Sequence, residues 1–143
     1  TNGGFMPVID DAKISDRSAV TRIVLCSGKV FYDLDAARPE DGSSAVLRLE
    51  QFYPFPKTML AELFASYPNA TDVVWTQEEP RNMGGWTFVK DRIDEIRGNL
   101  TLIFAGRAAS ASPATGSYTI HNLEQDKLVR EAFGMAETTA AAQ

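Results

Sequence analysis

The sequence has a single cysteine, Cys26, and a single histidine, His121, in 143 residues. One cysteine excludes an internal disulfide framework and suits a reducing compartment. Because Cys26 lies in the apolar run at residues 23–26, we expect a buried, unreactive thiol rather than a nucleophile. No nucleophile signature accompanies His121, which favours a surface or helix-capping role. With one residue of each kind, far apart in sequence, we predict no metal site.

Long apolar runs and a basic excess are also missing. No run approaches the roughly 18 residues that cross a bilayer, and the net charge is −5. We therefore predict neither a membrane protein nor a general nucleic-acid binder, because phosphate binding needs a basic face. The start of the chain lacks the basic and apolar stretches of a secretion signal. It also lacks an initiator Met, so we expect a piece of a longer protein.

Short apolar runs alternate with amphipathic segments along the chain. Runs rich in β-branched and aromatic residues predict four strands, at residues 23–26, 45–49, 73–75 and 100–104. Apolar stripes predict four helices, near residues 28–34, 56–67, 86–97 and 123–133. Ser27 is the expected N-cap of the first helix. This alternation predicts an α/β fold, a three-layer αβα sandwich around a mainly parallel sheet.

The ends of the chain differ in composition from its middle. Residues 1–20 are polar and contain Gly3, Gly4 and Pro7, which predicts a linker or surface arm. Residues 21–134 form the predicted domain. Residues 135–143 are rich in alanine and threonine, which predicts a flexible tail.

Polar residues follow each predicted strand. In an open α/β sheet, ligands gather at the carboxyl ends of the strands, where loops meet helix N-termini. Lys29 follows the first strand there and would hold an anion such as phosphate; alternatively it is solvated, with Ser27 capping the helix. The segment is not a P-loop, because the required upstream glycine is absent.

The acidic pair Glu78 and Glu79 follows the third strand. A desolvated carboxylate serves acid–base chemistry, but adjacent strand residues point to opposite sides. The alternative is a rigid loop through Asn82 whose carboxylates bind backbone amides or a partner domain. We predict no catalytic residue in this chain.

Four segments, in order, resemble the C-terminal domain of the thiamine-diphosphate-dependent (decarboxylating) component of 2-oxoglutarate dehydrogenase. They read LCSGKVFYDL (residues 25–34), RLEQFYPFP (48–56), WTQEEPRNMGGW (75–86), and AGR (105–107) with SASPATG (110–116). A looser form of the third segment is shared with pyruvate and branched-chain dehydrogenases and with transketolases. The second and fourth favour the 2-oxoglutarate enzyme, with the 2-oxoadipate enzyme as the alternative.

The resemblance implies the fold of the transketolase C-terminal domain. It implies a homodimeric parent enzyme that binds thiamine diphosphate and magnesium outside this domain. That enzyme decarboxylates 2-oxoglutarate in the tricarboxylic acid cycle and passes the succinyl group to a lipoyl succinyltransferase component. The domain itself is expected to pack against the preceding domains of its own chain, in the bacterial cytoplasm or the mitochondrial matrix.

The resemblance also implies that some members bind a regulatory adenine nucleotide or acetyl-CoA here. The predicted ligand-binding residues are Lys29, Arg48, Gln77 and Arg107. Lysine and arginine would meet phosphate, and Gln77 would contact an adenine or ribose edge. In the competing interpretation these groups bridge domains, and the predicted interface and loop residues are Glu50, Glu78, Glu79 and Asn82. For the whole protein, the alternatives are a free-standing anion- or nucleotide-binding module and a transketolase-like enzyme that transfers sugar fragments.

Overall fold

The structure, a computed structural model, describes residues 6–107 and 118–135. Its elements in chain order are β1 (Val8–Ile9), a 3-10 turn (Arg17–Ala19), β2 (Arg22–Cys26), α1 (Val30–Ala37), β3 (Ser44–Leu49), α2 (Lys57–Ala65), β4 (Asp72–Pro80), α3 (Trp86–Ile96), β5 (Thr101–Arg107) and α4 (Tyr118–Ala132). No helix in these two ranges has the length and apolar character needed to span a membrane. The segment at residues 110–116 and the predicted tail beyond Met135 lie outside the described residues.

One five-stranded sheet forms the middle layer, with the strand order β1-β3-β2-β4-β5. Strands β2 to β5 are parallel, and β1 pairs antiparallel to β3. Helices α1 and α4 pack together on one face, and α2 and α3 pack on the other. This arrangement confirms the predicted three-layer α/β sandwich.

Each face of the sheet has its own apolar core. On the α2/α3 face, Ile23, Leu25 and Trp75 pack with the helices. On the α1/α4 face, Val24 and Val74 pack with theirs. The central strands read as continuous apolar runs because both of their faces are covered. Full burial of a side chain of this kind stabilises a fold by roughly 1.5–3 kcal/mol.

Residues 8–20 pack against the sheet rather than forming the predicted linker or surface arm. Val8 is buried, and β1 pairs with the end of β3. The carboxylate of Asp11, which is 3% exposed, accepts a hydrogen bond from the Val46 backbone N–H at 2.8 Å and pairs with Arg38 at 2.6 Å. The polar composition of the segment did not indicate this role. The Asp11 carboxylate accepts the hydrogen bond that a backbone carbonyl of a neighbouring strand would otherwise accept.

The predicted N-cap at Ser27 is wrong. Lys29 occupies the N-cap position of α1, and its side chain makes no capping hydrogen bond. Gly28 adopts φ +80°, a left-handed turn that side-chain-bearing residues avoid. This turn separates Ser27 from the helix by two residues. The α3 prediction is confirmed, since the helix begins at Trp86 and ends at Ile96 before Gly98.

Candidate functional site

An ion pair bridges the topological switch point of the sheet. Strand β2 lies between β3 and β4, so the chain leaves β2 toward β3 on one side and then crosses to β4 on the other, and the carboxyl ends of β2 and β4 mark the switch point. Lys29, at the start of α1, places Nζ 2.9 Å from Oε1 of Glu78 on β4. The hydrogen bond to Glu78 and the charge of that carboxylate raise the pKa of Lys29. Because Lys29 is 82% exposed, we expect the pair to contribute at most about 1 kcal/mol to stability.

Arg107 joins the end of β5 to β4 and α4. Its Nε lies 2.9 Å from Oε1 of Glu124, and Nη1 donates to the Glu78 carbonyl oxygen. Its Nη2 lies 3.4 Å from Nδ1 of His121 and donates to Oε1 of Gln125 at 3.3 Å. His121 is exposed on α4, as expected for a surface role. The guanidinium therefore holds three elements together at one edge of the sheet.

Gln125 completes this network, although no sequence motif pointed to it. Its Nε2 donates to Oε2 of Glu78 at 2.7 Å and to Oδ2 of Asp33 at 2.8 Å. The amide thereby connects α4 with β4 and α1. The sequence did not point to Gln125, because amphipathic patterns identify the apolar face of a helix and carry no information on polar partners.

Arg48, on β3, contacts the aromatic side chains of α1. Its guanidinium carbon lies 4.4 Å from the ring centroid of Phe31 and 5.8 Å from that of Tyr32. Its Nε lies 3.6 Å from a carboxylate oxygen of Glu50 and has no hydrogen-bond partner. Cation–π contact with aromatic rings holds the arginine along α1.

Cys26 is flanked in the sheet by Arg48 on β3 and Thr76 on β4. Its thiol is fully buried, and burial raises the pKa of Cys26 to about 12. The thiol therefore stays protonated at neutral pH, because a thiolate would lose its solvation. This confirms the expected buried thiol.

Gln77 lies on the opposite face of the sheet from Lys29, Arg48 and Arg107. Successive residues of β4 alternate between faces, and Gln77 shares the α2/α3 side with Trp75. Its Oε1 accepts from Trp75 Nε1 and from the Trp86 backbone N–H, each at 2.9 Å. Its Nε2 donates to the carbonyl oxygens of residues 79, 80 and 83. These bonds occupy the whole amide, so we leave Gln77 out of any proposed ligand site.

In the loop after β4, the backbone of two glycines packs closely against neighbouring side chains. Gly84 has φ +68°, and a Cβ there would lie 2.9 Å from Oε1 of Glu79. At Gly85, a Cβ would lie 2.8 Å from the ring of Phe52. Glu79 and Asn82 are exposed. The backbone carbonyls of residues 79, 80 and 83 are bound by the Gln77 amide, whereas one interpretation of the sequence gave the binding of loop backbone to the carboxylates.

The described residues offer no cluster of side chains that fits a magnesium ion. Within residues 6–107 and 118–135, no group of three or more histidine, cysteine or acidic side chains is placed to hold a metal ion. The edge carboxylates of Glu78 and Glu124 are engaged by Lys29 and Arg107.

Comparison with known proteins identifies the family. The family described as 2-oxoglutarate dehydrogenase C-terminal matches residues 1–133. This chain belongs to that family. The chain is 44% identical over 137 residues to the 2-oxoglutarate dehydrogenase E1 component of Rickettsia typhi, covering 93% of this chain and 15% of that protein. For the E1 component of Cupriavidus necator the identity is 48% over 137 residues, covering 92% and 14%. For that of a Geobacillus species it is 39% over 142 residues, covering 96% and 15%.

The family membership confirms the resemblance of the four segments. The relatives share the name 2-oxoglutarate dehydrogenase E1 component, which favours this enzyme over the 2-oxoadipate alternative. The chain spans only about 15% of the length of these relatives. Family membership therefore describes one domain of a much longer kind of protein.

Proposed function

We propose that this domain serves assembly and regulation in the E1 component of a 2-oxoglutarate dehydrogenase. The complete enzyme would decarboxylate 2-oxoglutarate in the tricarboxylic acid cycle and transfer the succinyl group to a lipoyl arm. The proposal rests on the family match over residues 1–133. The chain covers only about 15% of the length of relatives that are named as E1 components. A domain that makes up about 15% of a larger enzyme can serve a role other than catalysis there.

The proposal includes cofactors and partners that lie outside this chain. Thiamine diphosphate and magnesium would bind in other domains of the E1 polypeptide. The E1 component would form a homodimer and work in a multienzyme complex with the lipoyl succinyltransferase component. We propose a cytoplasmic location, since the relatives from Rickettsia, Cupriavidus and Geobacillus are bacterial; the mitochondrial matrix is the alternative for a eukaryotic source.

The proposal predicts that the 143-residue chain alone does not decarboxylate 2-oxoglutarate. The edge carboxylates of Glu78 and Glu124 are paired with Lys29 and Arg107, so neither is positioned as a free acid or base. Carbon dioxide release with added thiamine diphosphate and magnesium is the measurement, and the complete E1 component is the positive control. Turnover by the isolated chain would contradict a non-catalytic role, and an inactive complete protein would contradict the enzyme assignment.

A second proposal is a regulatory anion site at the carboxyl edge of the sheet. Lys29 and Arg107 meet at Glu78, and the Nε of Arg48 has no hydrogen-bond partner. These cations favour a phosphate of an adenine nucleotide or of acetyl-CoA, with arginine offering a fixed donor fork.

Titration calorimetry tests that site with adenosine phosphates and acetyl-CoA. We expect binding that Lys29→Ala or Arg107→Ala weakens about tenfold or more, since each lost charge-assisted hydrogen bond contributes about 1.5–3 kcal/mol. Lys57→Ala is the control, because Lys57 belongs to α2, which packs on the other face of the sheet, and pairs with Glu95 of α3. Equal binding by all variants would contradict the anion site, and the interpretation of these residues as bridges between domains would remain.

A further inference from the structure

Strand β5 lies at one lateral edge of the sheet, and its outer side has no neighbouring strand among the described residues. The Thr101 N–H points toward β4, because it donates to the Thr71 carbonyl oxygen at 2.9 Å. Backbone groups of successive residues in a parallel strand point alternately to one side and to the other. The backbone N–H and C=O groups that face outward are therefore those of Leu102, Phe104 and Gly106. Unpaired groups of this kind are a template for another strand.

An open groove of about 650 Å³ follows this edge on the α4 side of the sheet. It is lined by Ile103 and Phe104 of β5 and by Lys127 and Glu131, which lie one turn apart on α4. Arg81, which is exposed immediately after β4, also lines the groove, and its guanidinium carbon lies 4.3 Å from the Phe104 ring centroid. The groove therefore combines an apolar surface with charged side chains.

A second groove, of about 350 Å³, lies on the α3 side of the same edge. Leu102 of β5 lines it together with Trp86 and Lys90 of α3 and with Arg97. Side chains of a strand alternate between the two faces of a sheet. An additional strand beside β5 would therefore place its side chains alternately in the two grooves.

The two grooves carry more cations than carboxylates. The α4 side has Arg81, Arg107 and Lys127 against Glu131, and the α3 side has Lys90 and Arg97 against Asp94. Within the described parts of the chain, Arg81 and Lys90 form no ion pair. The whole chain has a net charge of −5, so this edge is a basic surface on an acidic protein. Charge complementarity favours an acidic partner.

We propose that the outer edge of β5 binds an extended, acidic segment of a partner protein as an additional strand of the sheet. Leu102, Phe104 and Gly106 supply the main-chain hydrogen bonds, which give such a complex its affinity, and the two grooves select the alternate side chains. Acidic side chains of the segment meet Arg81 and Lys90. This inference goes beyond the proposed function, in which the outer side of β5 has no part.

A second copy of this chain does not suit the same edge. Pairing of two β5 strands would bring Arg81 and Lys90 of both copies to one junction, and like charges across paired strands are destabilising. Charged side chains on an edge strand commonly prevent pairing of that kind. The same cations attract a strand that carries carboxylates, so the edge selects an acidic segment against its own copy.

Hydrogen exchange in the complete E1 component tests the proposal. The probe is a short peptide of alternating glutamate and valine with blocked ends, which can place its glutamates in one groove and its valines in the other. A peptide of alternating lysine and valine is the control. Mass spectrometry with fragmentation of the segment at residues 101–107 reports the exchange rate of each amide.

We expect the acidic peptide to slow exchange at the amides of Leu102, Phe104 and Gly106. At a peptide concentration about ten times the dissociation constant the slowing should be about tenfold, because exchange requires the free edge. The amides of Ile103 and Ala105 point toward β4, so their exchange rates should change little. The lysine peptide should leave all of these rates unchanged.

Charge reversal tests which side chains select the peptide. Arg81→Glu and Lys90→Glu should each raise the dissociation constant of the acidic peptide at least about threefold, and together at least about tenfold, because each replaces an attractive charge by a repulsive one. Lys57→Glu is the matched control, since Lys57 is also an exposed lysine but belongs to α2. Arg81 and Lys90 are exposed, so these variants leave the core intact.

Unchanged exchange at Leu102, Phe104 and Gly106 with the acidic peptide would overturn the proposal, and so would equal slowing by the lysine peptide. Slow exchange of these amides before any peptide is added would also overturn it, since another part of the E1 polypeptide or a second copy would then occupy the edge. Equal binding of the acidic peptide by the two edge variants and by the Lys57 control would overturn the assignment of an acidic partner.

Discussion

Replacing Gln77 with leucine is expected to lower the free energy of unfolding of the chain by about 3 to 5 kcal/mol, because several buried partners lose their hydrogen bonds at once. Gln77 is 4% exposed. Its amide serves the indole of Trp75, the first backbone N–H of α3 at Trp86 and three carbonyl groups of the intervening loop. Leucine has a similar volume but offers no donor or acceptor.

Urea-induced unfolding followed by tryptophan fluorescence measures this loss, because Trp75 and Trp86 both contact Gln77. Gln125→Leu is the matched control. Gln125 also makes side-chain hydrogen bonds, but it lies at the carboxyl edge, where water can replace them. We expect a loss of at most about 1 kcal/mol for the control. Equal losses for the two variants would show that burial of the Gln77 hydrogen bonds does not increase their contribution to the free energy of unfolding.

The central strands could be predicted because each is marked by a short apolar run in its own sequence. Strands β2 and β3 read as short apolar runs of β-branched and aliphatic residues, and a run of that length covered on both faces is typical of a parallel strand. The two-residue strand β1 was not predictable in this way, since no period can be detected in two residues. Its position depends on Asp11, whose partners Arg38 and Val46 are distant in sequence.

The grouping of the site residues was only partly predictable. Lys29 and Arg107 meet because they follow β2 and β5, which flank β4 and its Glu78. Gln77 was grouped with them because it also lies near a strand end. Alternation along β4 separates residue 77 from residue 78, so strict use of the two-residue period would have set Gln77 apart. The contacts of Gln125 required the tertiary structure.

Asp11 offers the clearest test of whether residues 8–20 belong to the folded domain. Asp11→Ala is expected to lower the free energy of unfolding by about 2 kcal/mol, because removal of the carboxylate leaves a buried backbone donor and one guanidinium nitrogen without their hydrogen-bond partner. The groups that lose their partner are Nη1 of Arg38, whose side chain is 14% exposed and keeps its pair with Asp35, and the Val46 N–H in the sheet. Asp11→Asn should lose less, since an amide oxygen still accepts from Val46.

Urea-induced unfolding of the same chain measures both variants, with Asp41→Ala as the control. Asp41 accepts hydrogen bonds from Ser43 alone, in an exposed turn, so its removal should have a much smaller effect. If Asp11→Ala left stability unchanged, residues 8–20 would behave as the surface arm that their composition predicts. Met6 and Ile9 would then lose their fixed place beside β3.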